Sequence, residues 1–420
     1  MKGIKALKQV KITEYSLILC IFVVNFWCIF FKQTLLFTIG GAIVSLFELA
    51  LCAYLIANYR RKSVRRDTAS KMDMVVIHWI LFALLYMAFF SLGSSYLPGV
   101  SIIGFNIPKQ IYNMALNAIH ILAIIAALRN MKNDEREFAS KLLIVVFALV
   151  AVANIVVVAL DRSLTKTEPY DENGSVFVLG YSMSYCLALL LPALIYKLSR
   201  SCHKILYVCL ISIVAISIFL AGYFIAVCAA MIAVIITLVL LIKDKLAAYG
   251  TLVFLTAFII FLLSSGALQD LFYRLGDMVT IKQISRRLTE IADFMSKGVE
   301  YNHEGETTFR FYIYKDTFEN FLKHPILGNF IFGNYECQYD HATILDILSV
   351  GGIALAAPFF EFLKRSYDAA CMRVNDEFGK RSLVAVFLTY IFVACFNSVL
   401  SALHLGVLLL AAPLIIGGKK

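Results

Sequence analysis

The sequence has few charged residues. Asp, Glu, Lys and Arg make up only 16% of its 420 residues, whereas 61% are hydrophobic and the mean hydropathy is +0.82. Because soluble globular proteins carry about 25% charged residues, this composition excludes an ordinary soluble domain. The chain is predicted to be a polytopic integral membrane protein.

The sequence also lacks the short motifs of several enzyme classes. It contains no HExxH zinc motif and no Walker loop for nucleotide phosphates. Its 10 cysteines include no CxxC pair, so they indicate neither a metal site nor a disulfide framework. The residues therefore point to no metal and no cofactor.

Long apolar runs recur along the whole chain. A hydrocarbon core about 30 Å thick is crossed by about 20 apolar residues in a helix. The predicted fold is all-α, with about twelve transmembrane helices and one large helical extracytoplasmic loop. The predicted spans are 16–31, 35–57, 74–90, 111–128, 142–160, 176–196, 205–220, 224–242, 246–264, 342–363, 383–396 and 400–417.

One long polar segment divides the chain into three parts. The first is an N-terminal transmembrane bundle of about nine spans at 1–264. The second is the extracytoplasmic loop at 265–341, which contains amphipathic helices. The third is a C-terminal bundle of about three spans at 342–420.

The basic residues are distributed unevenly between the two sides. The N-terminus, the C-terminus and alternate loops hold about two thirds of the 38 Lys and Arg residues, which places both termini in the cytoplasm. The net charge of +10 mostly reflects this bias. The basic run RRKSVRR at 60–66 is interpreted as an anchor on anionic lipid, with no nucleic acid as partner.

Within the polar loop, apolar spacing predicts one amphipathic helix over 271–296 that lies on the membrane or against the bundle. A second helix is predicted over 307–324. Pro325 ends it, and Gly328 and Gly333 turn the chain back. Asp340 is expected to cap the next span, which places His341 in its first turn, and the Gly351-Gly352 pair is interpreted as a site of close helix packing.

Two segments around this turn resemble the signature of the O-antigen polymerase and O-antigen ligase superfamily. They are RFYIYKDTFENFLKHPILGN at 310–329 and DHATILDILSVGGI at 340–353. In that superfamily an arginine opens an external helix, a His-Pro-(apolar)₂-Gly turn follows, and a histidine begins the next span. The order and spacing of these pieces carry the resemblance.

The resemblance implies glycosyl transfer on the outer side of the bacterial cytoplasmic (inner) membrane. The donor would be an undecaprenyl-diphosphate-linked oligosaccharide, attacked at its anomeric carbon by a sugar hydroxyl, and the reaction would need neither metal nor nucleotide. Implied partners are this lipid-linked oligosaccharide, the bilayer, a chain-length regulator and a flippase.

The resemblance also assigns roles to individual residues. His341 matches the histidine that assists deprotonation of the acceptor hydroxyl, and Arg310 matches an arginine that holds the diphosphate. Relatives often carry a Ser-Arg pair near the start of the span that corresponds to 220–231, where this chain has no arginine. The second diphosphate-binding cation is therefore expected to be Arg286 or Arg287. The expected supporting residues are Asp340, Asp346 and His324.

Four functions remain open at this stage, and one of them is a purely structural or assembly role in the membrane. The leading one is a polymerase that joins repeat units of an O-antigen, capsule or exopolysaccharide. A ligase of the same superfamily is the first alternative, and the missing arginine weakens it more than the polymerase. A flippase for lipid-linked oligosaccharides is the alternative from a different class, although its usual plan lacks so long an external loop.

Overall fold

The protein is described here from a computed structural model. The described residues are 99–102, 105–108, 133–160, 181–242, 244–279, 282–297, 306–329, 342–374, 376–399 and 402–417, with the single residues 50, 53, 54, 123, 131 and 332. The first four predicted spans lie outside this part of the chain, apart from four of those single residues.

The described residues are helical except for one short hairpin. Strand β1 (Gly99–Ile102) pairs antiparallel with β2 (Phe105–Pro108). The helices are α1 (Asn133–Leu160), α2 (Tyr181–Arg200), α3 (Lys204–Ala221), α4 (Phe224–Leu240), α5 (Lys245–Ser264), α6 (Ala267–Met278), α7 (Lys282–Lys297), α8 (Glu306–Lys323), α9 (Thr343–Cys371), α10 (Glu377–Phe396), α11 (Ala402–Gly406) and α12 (Ala412–Gly417). A π-helical turn (Val407–Ala411) connects α11 to α12. The helical fold class is confirmed here, and the hairpin was not predicted.

Five of the described helices are long and apolar enough to cross a membrane. They are Glu135–Val156, Ser182–Arg200, Lys204–Ala221, Thr343–Asp368 and Glu377–Phe396. Shorter apolar helices at Phe224–Leu240, Leu246–Leu255 and His404–Gly417 coincide with three further predicted spans. The protein is thus a helical membrane protein, and the number twelve stays a prediction.

Helix α2 lies at the centre of the described bundle. Every residue from 183 to 196 is buried, and α2 packs against α3, α4, α10 and α12. Its sequence is apolar on all sides, as expected of a helix that is surrounded by others. By contrast, Ile205, Leu246 and Phe254 are exposed on α3 and α5, and such apolar surface is typical of contact with lipid.

A buried polar contact joins two of the spans. The Asn154 side-chain amide donates to the carbonyl and to the hydroxyl of Ser217, each at 3.0 Å. Interhelical hydrogen bonds of this kind contribute about 1 kcal/mol in membrane proteins. This contact fixes α1 against α3.

The basic ends of several helices meet at one end of the bundle. Arg200 and Tyr196 at the end of α2 both donate to the Asp376 carboxylate before α10, at 3.2 and 2.5 Å. Arg381 donates to the carbonyls of Leu240 and Ile242 at the end of α4, at 3.2 and 2.8 Å. Three loops predicted to be cytoplasmic therefore lie together, as the charge-based topology requires.

The helix predicted over 271–296 is wrong as a single element. The chain forms α6 and α7, with extended backbone at Val279 between them (φ −81°, ψ 120°). The two helices fold back on each other: the Ser285 hydroxyl donates to the Gly276 carbonyl at 2.6 Å. The apolar stripe of α7 is thereby buried, with Ile284, Leu288 and Ala292 inside.

Helix α9 is broken at Gly352, which has φ 60° and ψ −160°. An unbroken helix of its 29 residues would be about 43 Å long, longer than the hydrocarbon core. The part after the break matches the length of the antiparallel α10 of 20 residues. Gly352 accommodates a turn of the preceding loop, so the expectation that it serves helix packing is wrong.

Candidate functional site

Helix α7 carries two neighbouring arginines that share one carboxylate. Glu290 accepts from Arg286 Nε at 2.7 Å and from Arg287 Nη1 at 2.9 Å. The side chain of Arg286 is 64% exposed, whereas those of Arg287 and Glu290 are only 21% and 13% exposed. Since the buried stripe of α7 faces its neighbours, Arg287 lies at the edge of the packed helices and Arg286 lies in solvent.

Helix α8 carries Arg310 and, one turn later, Tyr314. The helix buries Ile313 and Thr317 and ends at Lys323, two residues before Pro325, as predicted. A side-chain hydrogen bond joins Arg310 to Tyr314. The Tyr314 hydroxyl in turn donates to the Phe396 carbonyl at 2.8 Å, which ties α8 to the end of α10.

Helix α9 begins beside this contact. Its N-cap is Ala342, and the buried Asp346 carboxylate accepts from the Ala342 backbone N–H at 3.0 Å. The backbone N–H and the hydroxyl of Thr343 both donate to the Asn397 carbonyl, each at 3.2 Å. The start of α9 and the end of α10 are therefore fixed against each other.

Helices α7 and α8 pack against each other, and the charges that they carry influence the neighbouring groups. Burial lowers the pKa of Arg287; the Glu290 carboxylate opposes this, and the nearby charges of Arg310 and Arg286 lower it further. Burial also raises the pKa of Tyr314. The Arg310 charge and its hydrogen bond lower this pKa, the Asp346 carboxylate raises it, and the net shift is upward. Tyr314 therefore stays a neutral phenol and keeps its O–H.

We call Arg287, Arg310, Tyr314 and Asp346 the outer cluster. They come from three helices, and the positive charge of Arg310 is close enough to contribute to lowering the pKa of Arg287. An anion bound between such groups would relieve that repulsion, and guanidinium pairs phosphate oxygens bidentately. The arrangement suits an anionic ligand next to a phenol and a carboxylate.

His324 lies apart from the outer cluster. It follows the last turn of α8, about 20 Å along the helix axis from Arg310. Its ring stacks on Phe332, with the ring centroids 4.0 Å apart. The structure therefore does not bring His324 together with the two arginines.

Asp340 and His341 lie outside the described residues, but the start of α9 corrects one expectation about them. Because Ala342 is the N-cap and Thr343 is the first helical residue, Asp340 does not cap this helix. His341 precedes the helix and is not in its first turn.

Tyr314 and Glu290 were not among the predicted site residues. Tyr314 follows Arg310 by four positions, and residues at this spacing lie next to each other on a helix. This spacing was the available signal for the pair. Among the described residues, no group of three or more His, Cys, Asp or Glu side chains is arranged to hold a metal ion.

The comparisons with known proteins give one positive finding. Residues 209–336 match the family model described as O-antigen ligase, which is just under a third of the chain. Over this region the chain is therefore similar to the O-antigen ligase family. No curated protein matches the chain.

This match confirms the resemblance to the O-antigen ligase and polymerase superfamily. In general terms, the matching family implies a membrane enzyme that transfers glycosyl groups. The matched region runs from within α3 to beyond α8, so it includes Arg286, Arg287 and Arg310. Asp346 and the start of α9 lie after its end.

Proposed function

We propose that the protein is a polysaccharide polymerase that joins undecaprenyl-diphosphate-linked repeat units on the outer side of the cytoplasmic membrane. The observation that carries this proposal is the pair Arg287 and Arg310, close together inside a region of the O-antigen ligase family. A glycan leaving from a lipid diphosphate needs cations at the leaving group. Two guanidiniums on neighbouring helices meet that need.

The proposed reaction is a single displacement. The oxygen of an acceptor sugar hydroxyl attacks the anomeric carbon of the growing chain, and the bond from that carbon to the diphosphate oxygen breaks. The electron pair of the broken bond leaves on undecaprenyl diphosphate, whose charge Arg310 and Arg287 stabilise. The hydroxyl proton passes to His341 as general base.

The remaining members of the outer cluster have supporting roles in this proposal. Tyr314 holds the Arg310 guanidinium in place through their hydrogen bond and is itself held by the Phe396 carbonyl. Asp346 closes the start of α9 through its bond to the Ala342 N–H. In this assignment the exposed Arg286 attracts the diphosphate headgroup at longer range.

A ligase is the second candidate, and the description of the matching family favours it. A ligase would use the same donor and leaving group but would transfer a finished glycan to a different acceptor. The chemistry at the two arginines would be unchanged. Only the acceptor separates the two functions.

A deletion strain distinguishes the two. Without a polymerase, lipid-linked and surface glycan should consist of single repeats, and a plasmid copy should restore the ladder of longer chains. Without a ligase, long chains should persist on undecaprenyl diphosphate while transfer to the final acceptor stops. Repeats trapped on the cytoplasmic side would contradict both and indicate a flippase.

A further inference from the structure

The turn between α8 and α9 is inserted into the break of α9. The backbone N–H groups of Ile353 and Ala354 begin the second half of α9, and the break leaves them without partners inside the helix. They donate to the carbonyls of Pro325 and Ile326, at 2.8 and 2.9 Å. The turn thus completes the backbone hydrogen bonding of the broken helix, which a membrane protein requires.

Two glycines make this insertion sterically feasible. Gly328 has φ +75° and Gly352 has φ +60°, a region that L side chains rarely adopt. A Cβ on Gly328 would overlap the Val350 carbonyl, and a Cβ on Gly352 would overlap the Ile326 carbonyl. Each glycine therefore lets the backbone of the other segment approach.

Asn329 connects the same elements through its side chain. It is fully buried, and its amide nitrogen donates to the Asn320 carbonyl of α8 at 2.6 Å and to the Ser349 carbonyl of α9 at 2.9 Å. Its backbone N–H also donates to Ser349, at 3.0 Å. Asn329 thereby joins the end of α8 to the first half of α9.

These contacts lie at the C-terminal end of α8, whereas Arg310 and Tyr314 of the outer cluster lie in its first half. In the middle of the helix, Tyr314 fixes α8 to the end of α10, where the start of α9 is also fixed. At the C-terminal end, the turn fixes α8 to the break in α9. The helix that carries Arg310 is therefore attached to the half-helix that carries Asp346 at two separate points.

We propose that Gly328, Asn329 and Gly352 are positioning residues for the transfer reaction, because they lock α8 against the first half of α9. This inference rests on the proposed function, since it concerns the distance between the Arg310 guanidinium and the groups at the start of α9. A displacement of about 1 Å between groups that hold a reacting bond lowers the rate about 100-fold. An attachment at one point only would leave α8 able to tilt by that amount.

The test compares Asn329→Ala and Gly352→Ala with Gly266→Ala in the purified full-length protein. Gly266 is the matched control because it also has a positive φ (+73°), yet nothing lies within 4 Å of a Cβ placed there. The substrate is undecaprenyl-diphosphate-linked repeats extracted from the deletion strain. The readouts are kcat, KM and the thermal midpoint.

We expect Asn329→Ala and Gly352→Ala to lower kcat at least about tenfold, with KM within about threefold of the wild-type value. Gly266→Ala should keep kcat within about twofold. Gly352→Ala creates an overlap with the Ile326 backbone, so this variant can fail to fold. In that case Asn329→Ala alone decides the outcome. A kcat of Asn329→Ala equal to that of Gly266→Ala would overturn the proposal.

A double substitution separates positioning from general destabilisation. If Asn329 acts through Arg310, Asn329→Ala should have at most about a twofold further effect on kcat in an Arg310→Lys background. Full multiplication of the two effects would overturn the proposal. Arg310→Ala tests the proposed function separately from the positioning role. Normal transfer by Arg310→Ala overturns the proposed function itself. Loss of transfer in Arg310→Ala, together with a normal kcat in Asn329→Ala, overturns only the positioning role.

Discussion

The Tyr314 hydroxyl donates a 2.8 Å hydrogen bond to the backbone carbonyl of Phe396, 82 residues further along the chain. The same phenol is hydrogen-bonded to Arg310. A residue of helix α8 is thereby fixed to the end of helix α10. This bond places Arg310 near the end of α10 that lies away from the contact of Arg200 with Asp376, which is the end predicted to face the outside.

Tyr314→Phe removes this hydroxyl and leaves the Phe396 carbonyl without its partner. We expect a loss of about 1–3 kcal/mol in the free energy of unfolding and a lower transfer rate, because Arg310 also loses a contact. Thermal unfolding in detergent and a transfer assay measure the two effects. Tyr312→Phe is the control, because Tyr312 is half exposed on the same helix. Equal results for the two variants would contradict a role for the Tyr314 hydroxyl.

Glu290→Gln should strengthen the binding of undecaprenyl diphosphate. The Glu290 carboxylate accepts hydrogen bonds from Arg286 and Arg287, so it competes with the oxygens of an incoming anion. Removing its charge should lower the Kd for the free lipid diphosphate about tenfold at low salt and slow product release. Titration of the purified protein with undecaprenyl diphosphate measures this.

The matched control is Glu319→Gln. Glu319 pairs with Lys315 on the exposed face of α8, at 3.8 Å. Its removal should leave the Kd unchanged. Weaker binding in Glu290→Gln than in Glu319→Gln would show that the α7 arginines do not hold the diphosphate.

His341→Ala should lower the transfer rate about 10²- to 10⁴-fold if His341 is the general base. His324→Ala should change the rate little, because His324 stacks on Phe332 far from Arg310. The two variants, assayed side by side with the same lipid-linked repeats, test the assignment of the base. Similar small effects in both would contradict it.

Asp376→Asn should destabilise the protein at neutral pH but less so in acid. Burial opposes ionisation of Asp376, but hydrogen bonds from Tyr196, Gly379 and Arg200 outweigh it, and its pKa lies below the usual value. Because the folded-state pKa is depressed, this stabilisation is present above the unfolded value of about 3.9 and is lost as the pH falls through the folded value.

Thermal midpoints between about pH 3 and pH 7 measure this dependence. The gap between wild type and Asp376→Asn should close as the pH falls. Glu361→Gln is the control, since Glu361 pairs with Arg365 one turn away, a contact worth about 0.3–0.5 kcal/mol. A gap that is constant with pH would contradict the linkage.

Local signals in the sequence predicted the helices well where one residue decides the end of an element. The apolar run 205–220 became Lys204–Ala221, and Pro325 ended α8 as expected. The break between α6 and α7 was missed because apolar residues continue at helical spacing across it. No Pro or Gly lies at 277–281 to mark the end of a helix. The break at Gly352 was missed because a glycine pair in a span also suits close helix packing.

The site was predictable only in part, for a similar reason. Arg287 and Arg310 follow from motif order and local charge, and the structure brings them together. Tyr314 acts through Phe396 and Asn329 acts through Ser349, and neither partner is adjacent in sequence. Such contacts depend on how helices pack, which spacing within one helix does not reveal.

The most direct test of the central claim is the size profile of lipid-linked and surface glycan from cells whose only copy carries Arg310→Ala. Lys315→Ala, an exposed change on the same helix, is the control, with both proteins matched in level by immunoblot. The account predicts single repeats for Arg310→Ala, with polymer reduced at least about 100-fold, and a normal ladder for Lys315→Ala. A normal ladder from Arg310→Ala would contradict it.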